Sequence, residues 1–241
     1  MGDCGPGVGE NGRVSAPRQV EDLVDVDRPA WPWVQGLIDK SELSVEVLPV
    51  GPESARRTLH RLQVTAGSAL GAIALHTGGL VIDNWVRLLG GGGALPALGE
   101  YEEVGKMTVG YDLLGGRFAL NGTALDGPPG GLWYWAPDTL EWESIDSTYS
   151  GMLEWFLGGA LTKFYADCYW PDWRSEAARA APWEGITLFP PPFTKEGTKA
   201  DQVRRKIVDM SLLLDLYVDT ARQLAGKGPD DLVAQAPAAR A

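Results

Sequence analysis

The sequence has few of the residue types from which disulfide, redox and metal sites are built. Its 241 residues include two cysteines and two histidines. Cys4 lies in a glycine-rich N-terminal stretch and Cys168 lies much further along the chain. They do not suggest a disulfide framework, and we expect the protein in the reducing cytoplasm. His60 and His76 are not spaced as a metal-binding pair, so no metal site is predicted.

Long apolar runs and an excess of positive charge are also missing. No run approaches the ~18 apolar residues that cross a bilayer, so we expect no membrane-spanning segment. Asp3 and Glu10 stand among glycines where a secretory signal would have a basic and then an apolar segment. Because the formal net charge is −11, the chain should repel a phosphate backbone, and no nucleic-acid partner is expected. An acidic surface suits a basic protein partner, although it also serves ordinary solubility.

The familiar catalytic and cofactor motifs are absent from the sequence. Gly90–Gly93 follows a predicted strand but is not followed by Lys-Ser or Lys-Thr, so a loop is favoured over a nucleotide site. No Gly-x-Ser-x-Gly motif marks a nucleophilic serine. Asp167 and nearby aromatic residues should raise, not lower, the pKa of the Cys168 thiol. We therefore predict no catalytic residue and no cofactor.

The stretch from residue 115 to 170 is rich in aromatic residues and predicts strands followed by a helix. Arg117–Leu120 alternates polar and apolar residues up to Asn121-Gly122, a dipeptide typical of turns. Leu132–Ala136 and Leu140–Ile145 alternate in the same way and are separated by Pro137-Asp138-Thr139. The pattern predicts an antiparallel meander with one dry face and one wet face.

The helix that follows this meander is marked by a cap and a stripe. Asp146-Ser147-Thr148 offers capping oxygens, Tyr149 to Leu157 has helical apolar spacing, and Gly158-Gly159 should end the helix.

The aromatic residues of the stretch favour a shared core, but they also suit an exposed patch for a partner. The acids at 141 and 143 favour the solvent side of a strand over a carboxylate pair for sugar chemistry. The candidate partner-surface residues are Trp133, Trp135, Asp138, Glu141 and Glu143.

The rest of the chain predicts further helices and strands within one domain. We expect helices at 29–40 and at 53–64, the latter with Arg56, Arg57 and Arg61 facing solvent, and another from Met210. Strands are expected at 45–48, 85–89, 107–114 and 185–189, and a hairpin is expected to join 69–75 to 80–83. Thr194–Lys206 should be a charged surface loop. Residues 1–19 and 226–241 are predicted disordered tails around a single α+β domain at 20–225, with a mainly antiparallel sheet and helices packed on one face.

Several short segments together resemble a known bacterial family. The clearest is Ala136–Glu143, and the others include Leu62–Thr65, Leu70–Ala74, Thr77–Leu80, Arg87–Gly90, Phe118–Gly122, Trp155, Trp170 and Trp173. These residues resemble the family catalogued as domain of unknown function 2625, over roughly residues 20–225. Thr123 departs from the pattern, since a further glycine is expected there. The family has no assigned activity, so the resemblance implies a fold and little more.

A more distant similarity is to the SUKH group, whose bacterial members include immunity proteins against secreted toxins. Fold-level similarity does not fix function, but it favours binding over catalysis. The first hypothesis is a cytoplasmic, non-enzymatic protein-binding module, in one form an immunity-like protein against a basic toxin. The alternatives are a hydrolase-type enzyme with an acidic site on residues 138–143 and a small-molecule-binding domain with a pocket among the tryptophans. The oligomeric state is not predicted.

Overall fold

An antiparallel sheet runs through the centre of the molecule. The structure, a computed structural model, describes residues 16–197, 199 and 201–225 and the backbone of residues 234–235. The strands found there are β1 (Val45–Leu48), β2 (Gly79–Ile82), β3 (Val86–Leu89), β4 (Glu102–Glu103), β5 (Lys106–Asp112), β6 (Arg117–Asn121), β7 (Leu132–Ala136), β8 (Glu141–Ile145), β9 (Glu184–Phe189), β10 (Arg204–Asp209) and β11 (Ala234–Gln235). Seven of these described strands form the main sheet, in the order β1-β2-β3-β5-β6-β7-β8. β9 pairs with β10, and β4 pairs with β11.

Helices cover the sheet and join its strands. They are α1 (Val20–Val24), α2 (Trp31–Lys40), α3 (Pro52–Leu62), α4 (Ala69–His76), α5 (Tyr149–Trp155), α6 (Leu161–Phe164), α7 (Trp173–Ala177) and α8 (Met210–Leu224). A π-helical segment, Phe156–Ala160, joins α5 to α6, and a 3-10 turn, Ala166–Cys168, follows α6. The arrangement confirms the predicted α+β class with a mainly antiparallel sheet.

The predicted meander is β6, β7 and β8, each antiparallel to the next. Phe118 and Tyr134 are register partners on one face, where their rings contact Phe156 and Phe164 at centroid distances of 5.0 and 5.5 Å. The opposite face carries Trp135, whose ring lies 5.9 Å from that of Tyr217 on α8. The helices around the π-helical segment thus cover one face of the meander, and α8 contacts the other.

The predicted hairpin at 69–83 is wrong, because Ala69–His76 is the helix α4. The Ser68 hydroxyl caps this helix by accepting a hydrogen bond from the Gly71 N–H at 3.0 Å. Most residues of α4 are buried, so the sequence shows neither helical nor strand periodicity there. The real hairpin joins β2 to β3, and Asp83 and Asn84 form its turn with φ values of 50° and 52°.

The surface loop predicted at Thr194–Lys206 is also wrong at its C-terminal end. β10 begins at Arg204 and pairs antiparallel with β9 along six residues, from Arg204 opposite Phe189 to Asp209 opposite Glu184. The three consecutive basic residues at its start, Arg204–Lys206, hid the strand, because a strand exposed on one face does not need an apolar run. The strand leads directly into α8, where the Asp209 carboxylate accepts a hydrogen bond from the Ser211 N–H at 2.8 Å.

The helical stretch after the meander bends at a pair of glycines. The Thr148 hydroxyl caps α5 by accepting from the Gly151 N–H at 3.3 Å, as the sequence predicts. Gly159 has a φ of 89°, which breaks the helix inside the π-helical segment, just before α6. This change of direction brings α6 and the following 3-10 turn to the end of the sheet where the candidate site lies.

The predicted disordered tails, 1–19 and 226–241, lie outside the described residues except for 16–19 and 234–235. Across the described ranges, no helix combines the length and apolar character that crossing a bilayer requires.

Candidate functional site: an acidic pocket

A cavity of about 270 Å³ opens where the end of β5, the β7–β8 turn, α6 with its 3-10 turn, and residues 188–197 meet. We call this cavity the acidic pocket. None of the described residues that line it is a lysine, an arginine or a histidine. Its ionisable lining residues are Asp112, Tyr134, Asp138, Glu143, Tyr165, Asp167 and Cys168.

Asp112 lies at the base of the acidic pocket and is 1% exposed. Its Oδ2 accepts hydrogen bonds from the Tyr134 hydroxyl at 2.7 Å and from the Tyr165 hydroxyl at 2.9 Å. Its Oδ1 accepts from the backbone N–H groups of Leu114 and Gly116, both at 2.9 Å. Four donors therefore satisfy this buried carboxylate, and it joins β5, β7 and the C-terminal end of α6 at one point.

A tight glycine turn makes the network at the base possible. Gly115 has a φ of 89° and lies with Gly116 in the turn that joins β5 to β6. A Cβ atom at Gly116 would collide with the Tyr134 hydroxyl and with Asp112 Oδ2. Glycine at this position lets the backbone pass close enough to Asp112 to donate its N–H.

Burial shifts the pKa values of Asp112, Tyr134 and Tyr165 at the base of the acidic pocket. Burial raises the pKa of Asp112, and the hydrogen bonds from Tyr134, Gly116, Tyr165 and Leu114 oppose that shift. Burial, together with the nearby Asp112 charge, raises the pKa of both tyrosine hydroxyls well above their usual range. The tyrosines are therefore neutral donors at physiological pH.

Cys168 is half-buried in the wall of the acidic pocket. Burial, and then the charges of Asp112, Asp138 and Asp167, raise the pKa of its thiol to about 12. A thiol in this environment stays protonated near neutral pH and is a poor nucleophile. This agrees with the direction that the sequence predicts for Cys168.

The rim of the acidic pocket carries exposed carboxylates. Asp138 lies in the β7–β8 turn, Glu143 lies on β8 opposite Tyr134, and Asp167 lies in the 3-10 turn. All three side chains are exposed. The Thr139 hydroxyl lies 3.3 Å from Glu143 Oε1, a weak hydrogen bond that leaves the other carboxylate oxygen of Glu143 available.

The other candidate partner-surface residues lie outside the acidic pocket. Glu141 is exposed on β8 but does not line the cavity. Trp133 is half-buried, next to the Gly127 and Gly131 backbone. Trp135 is 4% exposed, and its ring lies 5.9 Å from that of Tyr217 and 5.2 Å from the Arg117 guanidinium, so it packs into the core.

Sequence reasoning placed Asp138 and Glu143 among the candidates but missed Asp112, Tyr134 and Tyr165 as a set. Asp112 and Tyr165 lie 53 positions apart, so no local pattern relates them. One signal was present. Asp112 is a charged residue at the end of β5, whose last five residues are buried, and it comes three positions before Gly115-Gly116. A buried acid needs partners, and its position pointed to a network.

By its residue types the acidic pocket is a candidate metal site, because Asp112, Asp138, Glu143 and Asp167 line it. Across the described ranges, no group of three or more His, Cys, Asp or Glu side chains is placed to hold a metal ion.

Comparison with known proteins places the chain among bacterial proteins without an assigned activity. It is 36% identical to the putative uncharacterized protein YbfG of Escherichia coli over 182 residues, which cover 72% of this chain and 84% of that protein. It is 28% identical to an uncharacterized protein of Haemophilus influenzae over 200 residues, which cover 78% of this chain and 87% of that protein. No solved structure matches the chain significantly. Since the profile described as protein of unknown function DUF2625 matches residues 20–213, the chain belongs to that family.

Proposed function

We propose that the protein is a non-enzymatic binding module that receives a positively charged side chain of a basic protein partner in the acidic pocket. The observation that carries this proposal is the charge of the lining. Four carboxylates line the cavity, and no described basic residue does. A concave site with one sign of charge concentrates field lines and attracts ions of the opposite sign.

The size and the walls of the acidic pocket favour a single long side chain. A cavity of about 270 Å³ is slightly smaller than the ~300–1,000 Å³ typical of small-molecule sites. The rings of Tyr134 and Phe164 line it, with centroids 5.5 Å apart. Aromatic rings and carboxylates are the two groups that best bind a guanidinium or an ammonium.

The protonation of the groups at the base and in the wall of the acidic pocket favours binding over catalysis. The raised pKa of Cys168 and of both tyrosines leaves no activated nucleophile among them. Asp112 has its acceptor positions filled by four donors. The rim carboxylates remain for a ligand, and they act through charge.

The overall charge of the chain supports a basic partner. With a formal net charge of −11, the molecule attracts a basic protein from a distance and steers it toward the surface. In the immunity-like form of this proposal the partner is a basic toxin. Its test is whether the chain protects cells against a toxin encoded beside it.

The test is a low-salt pull-down from the native host with matched variants. The pocket variant Asp138→Asn/Glu143→Gln removes two rim charges, and the control Glu141→Gln/Glu154→Gln removes two exposed charges outside the pocket. We expect a stoichiometric basic protein to bind the wild type and the control but not the pocket variant. Absence of any stoichiometric partner, or equal capture by both variants, contradicts the proposal.

A hydrolase-type enzyme is the second candidate, favoured by one observation. Asp138 and Glu143 line the same cavity, as an acid and a base must. In that case a substrate would be turned over, and Asp138→Asn alone would abolish turnover while leaving the substrate bound. A screen of ester, amide and glycoside substrates that shows no turnover above the level of Asp138→Asn excludes this candidate.

A further inference from the structure

A second concave region lies along the exposed side of α3 and shares no lining residue with the acidic pocket. It is a cleft of about 700 Å³ between α3, residues 19–20 and residues 97–100. This volume is within the ~300–1,000 Å³ range of small-molecule sites. Because Arg56, Arg57, His60 and Arg61 all line it, we call it the basic cleft.

The spacing of these four residues places their side chains together. Arg57 and Arg61 are four positions apart on α3, as are Arg56 and His60, so each pair lies on neighbouring turns of one helix face. This concentration of positive charge is unusual in a chain whose net charge is −11. Favourable interaction with the C-terminal end of the helix dipole explains basic residues in the last turn of α3, but it does not explain a cleft in front of them.

Two of the three arginines in the basic cleft are held by contacts within the protein, and the third, Arg57, is available to bind a ligand. The Arg56 guanidinium forms an ion pair with Glu21 at 2.5 Å. Arg61 Nη2 donates a hydrogen bond to the Leu98 carbonyl at 2.5 Å, which leaves its other N–H groups for a ligand. Within the part of the chain that the structure describes, the exposed Arg57 guanidinium makes no hydrogen bond or ion pair.

The helix α3, which carries these residues, packs against the glycine loop that follows β3. The Ser54 hydroxyl donates a hydrogen bond to the Gly91 carbonyl at 2.7 Å. Gly91 is buried, and a Cβ atom there would collide with the Ala74 carbonyl. The glycine loop that follows β3 is thus packed beneath α3. It holds the helix in position.

The carboxylates of the basic cleft limit the kind of anion that fits. Glu53 and Glu100 also line it, against three arginines. Glu100 Oε2 accepts a hydrogen bond from the Ala97 N–H at 2.6 Å, which fixes that carboxylate at the edge. The arginines outnumber these glutamates, so a compact anion that contacts Arg57 and Arg61 meets a net positive lining. A long polyanion would meet the acidic remainder of the surface.

We propose that the basic cleft binds a compact, phosphate-bearing small molecule, with Arg57 and Arg61 as its main ligands and His60 as an additional donor. Guanidinium groups bind phosphate through paired, charge-assisted hydrogen bonds. The proposal is independent of the acidic pocket, because a cation and an anion would occupy separate sites.

The test is isothermal titration calorimetry of the full chain with inorganic pyrophosphate, at an ionic strength kept constant with chloride. We expect saturable binding to the wild type, and affinity lowered by about tenfold in Arg57→Gln, which loses one charge-assisted contact. Arg204→Gln removes an exposed arginine outside the cleft and should bind as the wild type does. His60→Gln should give a smaller loss than Arg57→Gln.

Three results overturn this proposal. They are the absence of saturable binding to the wild type at about 1 mM pyrophosphate, equal affinity in the wild type and Arg57→Gln, and an equal loss in Arg57→Gln and Arg204→Gln. Circular dichroism checks that each variant is folded. Arg57 is exposed and unbonded within the described part of the chain, so its substitution should leave the fold intact. If Arg57→Gln does not fold, His60→Gln decides, since full affinity in that variant also overturns the proposal.

Discussion

The base and the rim of the acidic pocket hold the same chemical group in opposite physical states. At the base, the Asp112 carboxylate is 1% exposed and accepts four hydrogen bonds from the protein. At the rim, Asp138 and Glu143 are exposed to solvent. A buried carboxylate with filled acceptor positions organises the fold, whereas an exposed one contributes little to stability and is free to bind. Residue type alone does not separate structural acids from functional ones; the surrounding donors and the solvent do.

The largest expected effect is a loss of stability when the buried Asp112 carboxylate, at the base of the acidic pocket, is removed. Asp112→Ala leaves two tyrosine hydroxyls and two backbone N–H groups buried without their acceptor. We expect the free energy of unfolding to fall by about 3 kcal/mol or more. Glu143→Gln, at the rim, should change it by less than ~0.5 kcal/mol. Urea denaturation followed by tryptophan fluorescence measures both, and similar losses in the two variants would remove the distinction between base and rim.

A second prediction tests whether the hydrogen-bond network of Asp112 depends on the turn at Gly115-Gly116. A Cβ atom in Gly116→Ala would displace the Tyr134 hydroxyl from Asp112, and we expect a loss of about 2 kcal/mol in the free energy of unfolding. Gly158→Ala is the matched control, because nothing lies within 4 Å of a Cβ atom there. A helical glycine with free space should be neutral or slightly stabilised by alanine. Equal stability of the two variants would show that the turn does not constrain the network.

A smaller expected effect is the pH dependence of the Asp112 contribution to the free energy of unfolding. Burial raises the pKa of Asp112 in the folded state above its unfolded value, so the folded chain binds the proton more tightly. The contribution of Asp112 to stability is therefore fully present below about pH 4 and is lost as pH rises through the folded-state pKa. The difference in unfolding free energy between wild type and Asp112→Asn should shift in that direction between pH 3 and pH 8. A wild-type advantage that grows with pH would mean that the tyrosine and backbone donors outweigh burial.

The sequence predicted the regular parts of this architecture because their signals are local. The strands β6, β7 and β8 follow from alternation and from turn residues such as Asn121-Gly122 and Pro137-Asp138. The helix α5 follows from Thr148 and the apolar stripe behind it. α4 was missed because a helix buried on most sides has no amphipathic period.

The candidate site was predicted only in part, for a different reason. Asp138 and Glu143 stand out in the sequence as acids beside a turn, so they were named. The network of Asp112 with Tyr165 depends on a contact between positions 53 apart, which no spacing rule reveals. The cavity itself arises where residues 188–197 approach the sheet end, and that approach is set by tertiary packing.

The central claim is that the rim of the acidic pocket, and not the acidic surface in general, binds a cationic side chain. The most direct measurement is fluorescence anisotropy of a labelled hexa-arginine peptide at low salt, compared between Glu143→Gln and Glu141→Gln. Both variants remove one exposed charge from β8, but only Glu143 lines the cavity. The account predicts that affinity falls about fivefold or more in Glu143→Gln and by less than about twofold in Glu141→Gln. Equal losses in the two variants would mean that the whole acidic surface attracts the peptide, and the pocket would have no special role.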